Sequence, residues 1–399
     1  MDNGTAPPLR ILLLGKNSPP RVGGVERHLE ALFHGFHDVG GVKVDLLSSN
    51  ETMFSQVDRW NGFRTIRAAR FVDLNKLPLA RAYPSWLISA SDALAVAPSY
   101  AMWLRKLRAA DVIHAHAPSP VSEAALVTVR PKAPLVVTLH CAVPEGTPLS
   151  SQYMRMHASV LERADAIIVQ SPALLRSGLL TPDQRARATV IPSCIDADRF
   201  VLDRGAASAL VGNGAAGGPT VLFVGRLVDY KGLDYLVRAM REAPGQLLIV
   251  GQGPEQARIE ALVQSEGLGG RVRLLGPLDD PTVRALMEAA DVLVLPSVDD
   301  REGFGLVLLE AHLMGTPTIS TELGTGTSWV NEDGTTGLVV PPRDERALAR
   351  AIMRVGESPD EAAGWGRAAR ERARKDFSVE EMARRTIDVY RSVARGREN

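Results

Sequence analysis

Short apolar runs, each ending in a loop and followed by a helical pattern, recur along this chain, and the rhythm runs through twice. Ile11-Leu12-Leu13-Leu14-Gly15 reads as a buried strand, followed by a glycine-bearing loop and a helix from about Val25 to His37. Val42–Leu47, Asp111–His114, Leu135–Leu139, Ala166–Val169 and Val190-Ile191-Pro192 read as further strands. Gly205–Gly218, rich in Gly, Ala and Ser, reads as a linker or loose loop. The rhythm then restarts at Val221-Leu222-Phe223-Val224-Gly225. Leu233, Leu236, Val237 and Met240 follow on one helix face. Leu247–Val250, Val272–Leu275, Val292–Leu295, Thr318-Ile319-Ser320 and Gly337–Val340 continue the strands. Apolar runs without alternation mark strands covered on both faces, as in parallel sheets.

This pattern predicts an α/β protein of two doubly wound domains. The chain of 399 residues is long enough for two cores. The expected domains are 1–200 and 201–377, hinged near 192–218. Val379, Met382, Ala383, Thr386, Tyr390 and Val393 form a helical stripe, so a tail helix over 378–399 is expected to pack back on the first domain. Ligands of such sheets sit at the carboxyl ends of the strands, and two facing sheets would place the site in a central cleft.

Charge and composition narrow the classes. Forty-six basic residues balance forty-six acidic ones, which leaves no global field for nucleic acid. Cys141 and Cys194 make no disulfide framework and fit a reducing cytosol. No CxxC or HExxH appears, so no metal site is expected. Met1–Pro8 lacks the basic start and apolar core of a signal peptide. No window reaches the ~20 apolar residues of a spanning helix. A cytoplasmic protein is expected, with peripheral contact at the inner face of the membrane left open. Arg59, Arg64, Arg67, Arg70, Lys76 and Arg81, interleaved with Trp60, Phe63 and Phe71 and followed by Tyr83 and Trp86, would suit an anionic lipid-linked acceptor or a membrane surface. A solvated face over ordinary core aromatics is the more ordinary reading of the same residues.

The chemistry-bearing residues fall at strand ends. Glu302–Glu310 reads E-G-F-G-L-V-L-L-E, a strand-to-helix loop with one carboxylate in the loop and a second in the helix. Eight residues at about 100° each would set the two about 80° apart around a helix axis. With backbone N–H groups at the helix start, they make a cradle for a sugar nucleotide. Taken alone, the pair reads more simply as a solvated Glu302 and a Glu310 favoured by the helix dipole. Gly225–Gly232 carries Arg226 and Lys231 at another strand end, two cations that suit a diphosphate. Gly23-Gly24 permits close backbone approach or positive φ ahead of a helix. No GxGxxG is present to support a nicotinamide site. His114 and His116 end one strand and should point the same way if it continues, while His140 ends the next.

In this order, Gly23-Gly24, His116, G-R-x₄-K-G at Gly225–Gly232 and E-x₇-E at Glu302–Glu310, the motifs resemble those of the family-four retaining glycosyltransferases. The likeness continues through Gly315-Thr316-Pro317 and Gly337–Pro342 and covers nearly the whole chain. It implies the GT-B fold, two Rossmann-like domains facing a cleft, and a nucleotide-diphosphate sugar as donor, with no cofactor and no bound metal. It also implies roles. Arg226 and Lys231 would hold the donor diphosphate. Glu302 would bind donor-sugar hydroxyls, and Glu310 the ribose. Gly303, Phe304 and Gly305 would offer backbone amides. Gly23 and Gly24 would approach the phosphate from the first domain. His116 would stand near the donor sugar, with His140 a candidate on the acceptor side.

The segment Glu322–Val330 departs from the G-G-x-x-E-like form of many relatives. It looks like that of enzymes building bacterial surface polysaccharides, including some mannosyltransferases, which makes GDP-mannose a candidate donor. His312 stands where relatives often have an apolar residue. The acceptor would be a glycan, a lipid-linked sugar or a small molecule. A GT-B epimerase or phosphorylase and a noncatalytic sugar-nucleotide-binding subunit remain the alternatives.

Overall fold

The computed structural model describes residues 7–15, 23–50, 52–60, 62–70, 85–143, 150–196, 200–212 and 217–396, with the side chains of 85–94 and 150 left aside. The chain forms two compact units. One comprises residues 1–170, 175–192 and 379–399, and the other 171–174 and 193–378. The division falls at 192/193 rather than 200/201, and Ser171–Leu174 joins the second unit.

The first unit runs β1 (Leu9–Leu14), α1 (Gly24–Val39), β2 (Val42–Ser49), β3 (Gln56–Trp60), β4 (Phe63–Ala68), α2 (Ser85–Lys106), β5 (Val112–Ala117), α3 (Pro120–Val129), β6 (Leu135–Leu139), α4 (Ser150–Arg163), β7 (Ala166–Val169), α5 (Pro172–Arg176), α6 (Pro182–Ala186) and β8 (Ala188–Val190). Its sheet is ordered β3-β4-β2-β1-β5-β6-β7-β8. Every pairing is parallel except the β3/β4 hairpin at the edge. Residues 11–14 of β1 and all of β5 and β6 are buried, as runs covered on both faces must be.

The second unit runs α7 (Arg204–Val211), β9 (Thr220–Val224), α8 (Leu233–Ala239), β10 (Gln246–Val250), α9 (Gln256–Ser265), β11 (Val272–Gly276), α10 (Asp280–Ala289), β12 (Val292–Leu295), α11 (Leu306–Met314), β13 (Thr318–Thr321), α12 (Thr327–Val330), β14 (Gly337–Val340), α13 (Glu345–Glu357) and α14 (Pro359–Asp376). Its all-parallel sheet is ordered β11-β10-β9-β12-β13-β14, the doubly wound order 3-2-1-4-5-6. The order reverses between β9 and β12, so their carboxyl ends flank the crevice where such sheets bind ligands.

The tail is α15 (Val379–Arg395), a helix of the first unit. Gly35 of α1 lets it approach, since a Cβ there would lie 2.6 Å from the Cβ of Ala383. Tyr390 is fully buried and its hydroxyl meets His114 Nδ1 at 2.6 Å.

Two expectations change. Gly205–Gly218 is not all loop, because residues 204–211 form α7. Asp203 caps it by accepting from the Ala206 amide at 3.0 Å, and Arg204 pairs with Glu288 of α10 at 2.5 Å. Three alanines and a cap outweigh the cost of one glycine in so short a helix. The arginines of 59–70 are mostly engaged. Arg64 pairs with Asp45, Arg67 with Asp58, and Arg70 is buried. Trp60 and Phe63 pack on Phe33. Phe71, Lys76, Arg81 and Tyr83 lie outside the described residues, as does the side chain of Trp86. Among the described residues no helix is long and apolar enough to cross a membrane.

Candidate functional site

In the second unit the carboxyl ends of β9 and β12 are joined by side chains that lie far apart in sequence. After β9, Asp229–Lys231 makes one 3-10 turn, and Gly232 follows with φ +62°. A Cβ at Gly232 would stand 2.2 Å from the Pro296 carbonyl oxygen, so only glycine lets this turn lie against the end of β12. The Val298 amide donates to the Tyr230 carbonyl at 2.8 Å. Arg301 grips Asp229 through two N–H groups at 3.1 and 3.0 Å, and it also bonds Asp299.

These contacts set Lys231 against Glu302. Lys231 Nζ donates to Glu302 Oε2 at 2.5 Å, and both residues are buried. Ser297 Oγ donates to the same oxygen at 2.9 Å, and Thr325 Oγ1 donates to the Glu302 carbonyl at 2.8 Å. Burial pushes the Lys231 ammonium down, but attraction to Glu302 and Tyr230 outweighs it and holds the group above its ordinary value. Lys231 is therefore a fixed cation. Arg226, by contrast, is exposed at the mouth of the same turn, and its charge opposes that of Lys231.

Glu302 lies in the loop before α11, so the helical angle to Glu310 does not apply to the pair. Glu310 is the fifth residue of α11 and is buried. Gly305 precedes α11 with φ +78° and no side-chain cap, which leaves the first-turn amides without a side-chain acceptor at the cap. Phe304 packs edge-to-face against Trp329 and Phe377, so only its backbone is available to a ligand. A second glycine loop presses on the Arg226 turn. Cβ atoms at Gly251 and Gly253 would meet the carbonyl oxygens of Gly225 and Leu227 at 1.9 and 2.2 Å. Ser297, Thr325, Arg301 and this Gly251-Gln252-Gly253 loop escaped the sequence reading. Only the glycine pair after β10 carried a usable signal.

The first unit holds the histidines. β5 continues through Ala117, so His114 and His116 do share a face, with ring centroids 4.5 Å apart. His114 is spent on structure: its Nε2 meets Thr138 Oγ1 at 2.7 Å and its Nδ1 meets Tyr390. His116 Nδ1 meets His140 Nε2 at 2.9 Å, and the Gln170 amide nitrogen meets His140 Nδ1 at 2.7 Å. His28, one turn into α1 behind Gly23-Gly24, packs its ring on both His116 and His140 at 5.4 and 5.1 Å. Gly23 is extended at φ −166°, so the positive φ open to the Gly pair is not used there; nor is Gly24 in that region. The Glu26 carboxylate sits over Gly23 instead, 2.4 Å from where a Cβ would be.

Burial holds all four imidazoles neutral. It lowers His114 to about 3 and His140 to about 4, and it takes His28 and His116 well below the ordinary value. In the unfolded chain these groups protonate near pH 6.5. Below that pH the unfolded state binds more protons, so stability is full above about pH 6.5 and falls as pH drops toward about 4. Thermal melts from pH 7 to 4.5 are expected to lose on the order of 10 °C, and His114→Gln should remove only the share of that loss due to His114. A midpoint independent of pH in this window would show that the histidines are not held neutral.

His312, in α11, is fully buried with Nε2 3.0 Å from Thr318 Oγ1, and burial lowers it to about 3. It is a packing residue.

Two family models match the chain: "Glycosyltransferase Family 4" over residues 22–199 and "Glycosyl transferases group 1" over 212–372. The chain is 35% identical to D-rhamnosyltransferase WbpZ of Pseudomonas aeruginosa over 271 residues, 68% of this chain and 70% of that one. It is 29% identical to O-antigen chain mannosyltransferase C of Escherichia coli over 280 residues, 70% of this chain and 75% of the other. Among solved structures, sucrose-phosphate synthase from Thermosynechococcus elongatus superposes with a TM-score of 0.79 at 27% identity, covering 96% of this chain and 99% of that one. With a doubly wound sheet in each unit and paired cations and carboxylates at the switch point of the second, the chain belongs to the family-four glycosyltransferases, GT-B enzymes that act on nucleotide sugars.

Proposed function

We propose that this protein is a retaining glycosyltransferase that moves a hexosyl group from a nucleotide-diphosphate sugar, with GDP-mannose a candidate, to a glycan or lipid-linked acceptor in polysaccharide or glycoconjugate biosynthesis. The observation that carries the reading is the buried Lys231–Glu302 pair beside Arg226, where β9 and β12 part. Lys231 has two N–H groups beyond the one on Glu302. With Arg226 they would meet the diphosphate and the charge that grows on it as it leaves. Glu302 takes both Lys231 and Ser297 on Oε2, which leaves Oε1 for a donor-sugar hydroxyl. Amides of Gly303, Phe304 and Gly305 would line the sugar and phosphate, and Glu310 the ribose. From the first domain, Gly23 and Gly24 would approach the phosphate, His116 the sugar and His140 the acceptor side. The relative named for mannosyl transfer supports a mannosyl donor.

In this reaction the C1–phosphate oxygen bond breaks and a C1–acceptor oxygen bond forms on the same face. The acceptor proton passes to the departing phosphate. Lys231, Arg226 and helix-start amides would take the place of a divalent ion. The test is nucleotide release from UDP-, GDP- and dTDP-sugars, with and without lipid acceptors, before and after EDTA. GDP-mannose turnover that survives chelation is expected, with NMR of the first product showing the donor's anomeric configuration. An inverted anomer, or activity restored only by added Mg²⁺ or Mn²⁺, would overturn the mechanism. Turnover without acceptor transfer would favour an epimerase or phosphorylase. Binding without turnover would favour a noncatalytic subunit.

A further inference from the structure

The first unit contains a chain of three polar side chains that ends on a buried atom with no partner. Gln170 follows β7, His140 follows β6 and His116 lies near the end of β5, so three adjacent parallel strands bring them into one row. The Gln170 amide nitrogen lies 2.7 Å from His140 Nδ1, and an amide nitrogen can only donate. His140 Nδ1 is therefore the acceptor. A neutral His140 then carries its proton on Nε2, which lies 2.9 Å from His116 Nδ1 and donates to it. A neutral His116 must in turn carry its proton on Nε2. That atom is buried, with no hydrogen-bond partner among the described residues. An unanswered buried donor is costly in the free protein and available to a ligand oxygen.

We propose that Gln170 and His140 are positioning residues that set the tautomer of His116, so that its Nε2–H stands ready to donate to an oxygen of the bound sugar. Use of His116 by the sugar rests on the transferase reading above; the tautomer itself does not. His28 completes a group whose three imidazoles each place a nitrogen within 4.8 Å of the others. The hydrogen bonds from Gln170 to His140 to His116 use the lone pairs that a metal would need.

Gln170→Glu reverses the chain. A carboxylate can only accept, so His140 would carry its proton on Nδ1, accept on Nε2 from His116 Nδ1–H, and leave His116 Nε2 as a lone pair. Long-range ¹H–¹⁵N spectra of ¹⁵N-histidine protein, assigned with His116→Asn, read the tautomer directly. The expected result is Nε2–H on His116 in the native chain, Nδ1–H in Gln170→Glu, and a mixture in Gln170→Leu, whose side chain cannot bond His140. Both variants should lower kcat about tenfold or more with donor KM nearly unchanged; Gln170→Glu should also melt lower, because it buries a carboxylate, so the neutral Gln170→Leu separates the loss of kcat from any loss of stability. Nδ1–H on His116 in the native chain, the same tautomer in all three proteins, or unchanged kcat where the tautomer flips would overturn the proposal. So would stoichiometric Zn²⁺ uptake that shifts all three imidazoles. The spectra need no turnover, so a protein inactive on every donor would sink the transferase reading while the tautomers still decide this one.

Discussion

Lys231→Ala is expected to abolish most sugar transfer, by about 10²-fold or more in kcat, and to destabilise the second unit by roughly 3–5 kcal/mol. The two effects share one cause. Nζ of Lys231 is the buried partner of Glu302, and removing it leaves a carboxylate with Ser297 as its remaining side-chain donor. A loss of this size should lower the thermal midpoint by on the order of 10 °C. Arg226→Ala should separate the effects, because Arg226 is exposed: kcat falls and the melt does not move. The sequence alone treats the two cations alike and expects little thermal change from either. Their burial splits them. Replacing both partners in Lys231→Met/Glu302→Leu should recover much of the stability and none of the activity, since an apolar pair avoids the stranded charge. Thermal melts and steady-state kinetics on the four proteins check this. A Lys231→Ala protein that melts like the native one would show that the ion pair does not form.

Gly232→Ala is expected to be a severely damaging single-methyl change in the site. The new Cβ would stand 2.2 Å from the Pro296 carbonyl oxygen and 2.7 Å from Val298, in a backbone at φ +62°. Neither obstacle is a flexible side-chain tip. The turn must swing away from β12, breaking the Val298–Tyr230 bond and the Arg301–Asp229 fork and drawing Lys231 from Glu302. A cost of about 3 kcal/mol or more follows from strain combined with a lost buried pair. Gly324→Ala serves as the control, because it has positive φ but no atom within 4 Å of its Cβ. Urea unfolding of both variants should show a much larger loss at Gly232. Equal losses would mean that φ alone, and not the close approach to β12, sets the requirement.

Much of this was legible in the residues. Unbroken apolar runs such as Val292–Leu295 announced strands covered on both faces, and their alternation with helical stripes announced two doubly wound units. Each is local in sequence, because a strand's burial and a helix's stripe are written in consecutive side chains. The same holds for Arg226, Lys231, Glu302 and the glycines around them, which follow strand ends and so fall where such sheets bind ligands.

What escaped depends on neighbours distant in the chain. Lys231 and Glu302 are 71 residues apart and meet only because β9 lies beside β12 in the sheet order. His28 sits in an ordinary helical pattern, and Gln170 is one polar residue after a strand. Neither carries a signature until β5, β6 and β7 align and α1 lays His28 against the imidazoles. The helix over Arg204–Val211 was hidden by Gly205 and the glycines that follow the helix, and it appears once Asp203 and Glu288 are in place to cap and hold it. Residue type and spacing determined where ligands could bind in each unit. Strand order determined which charges are paired, which are exposed and which histidine nitrogens face one another, because those depend on the atoms that the fold brings within hydrogen-bond reach.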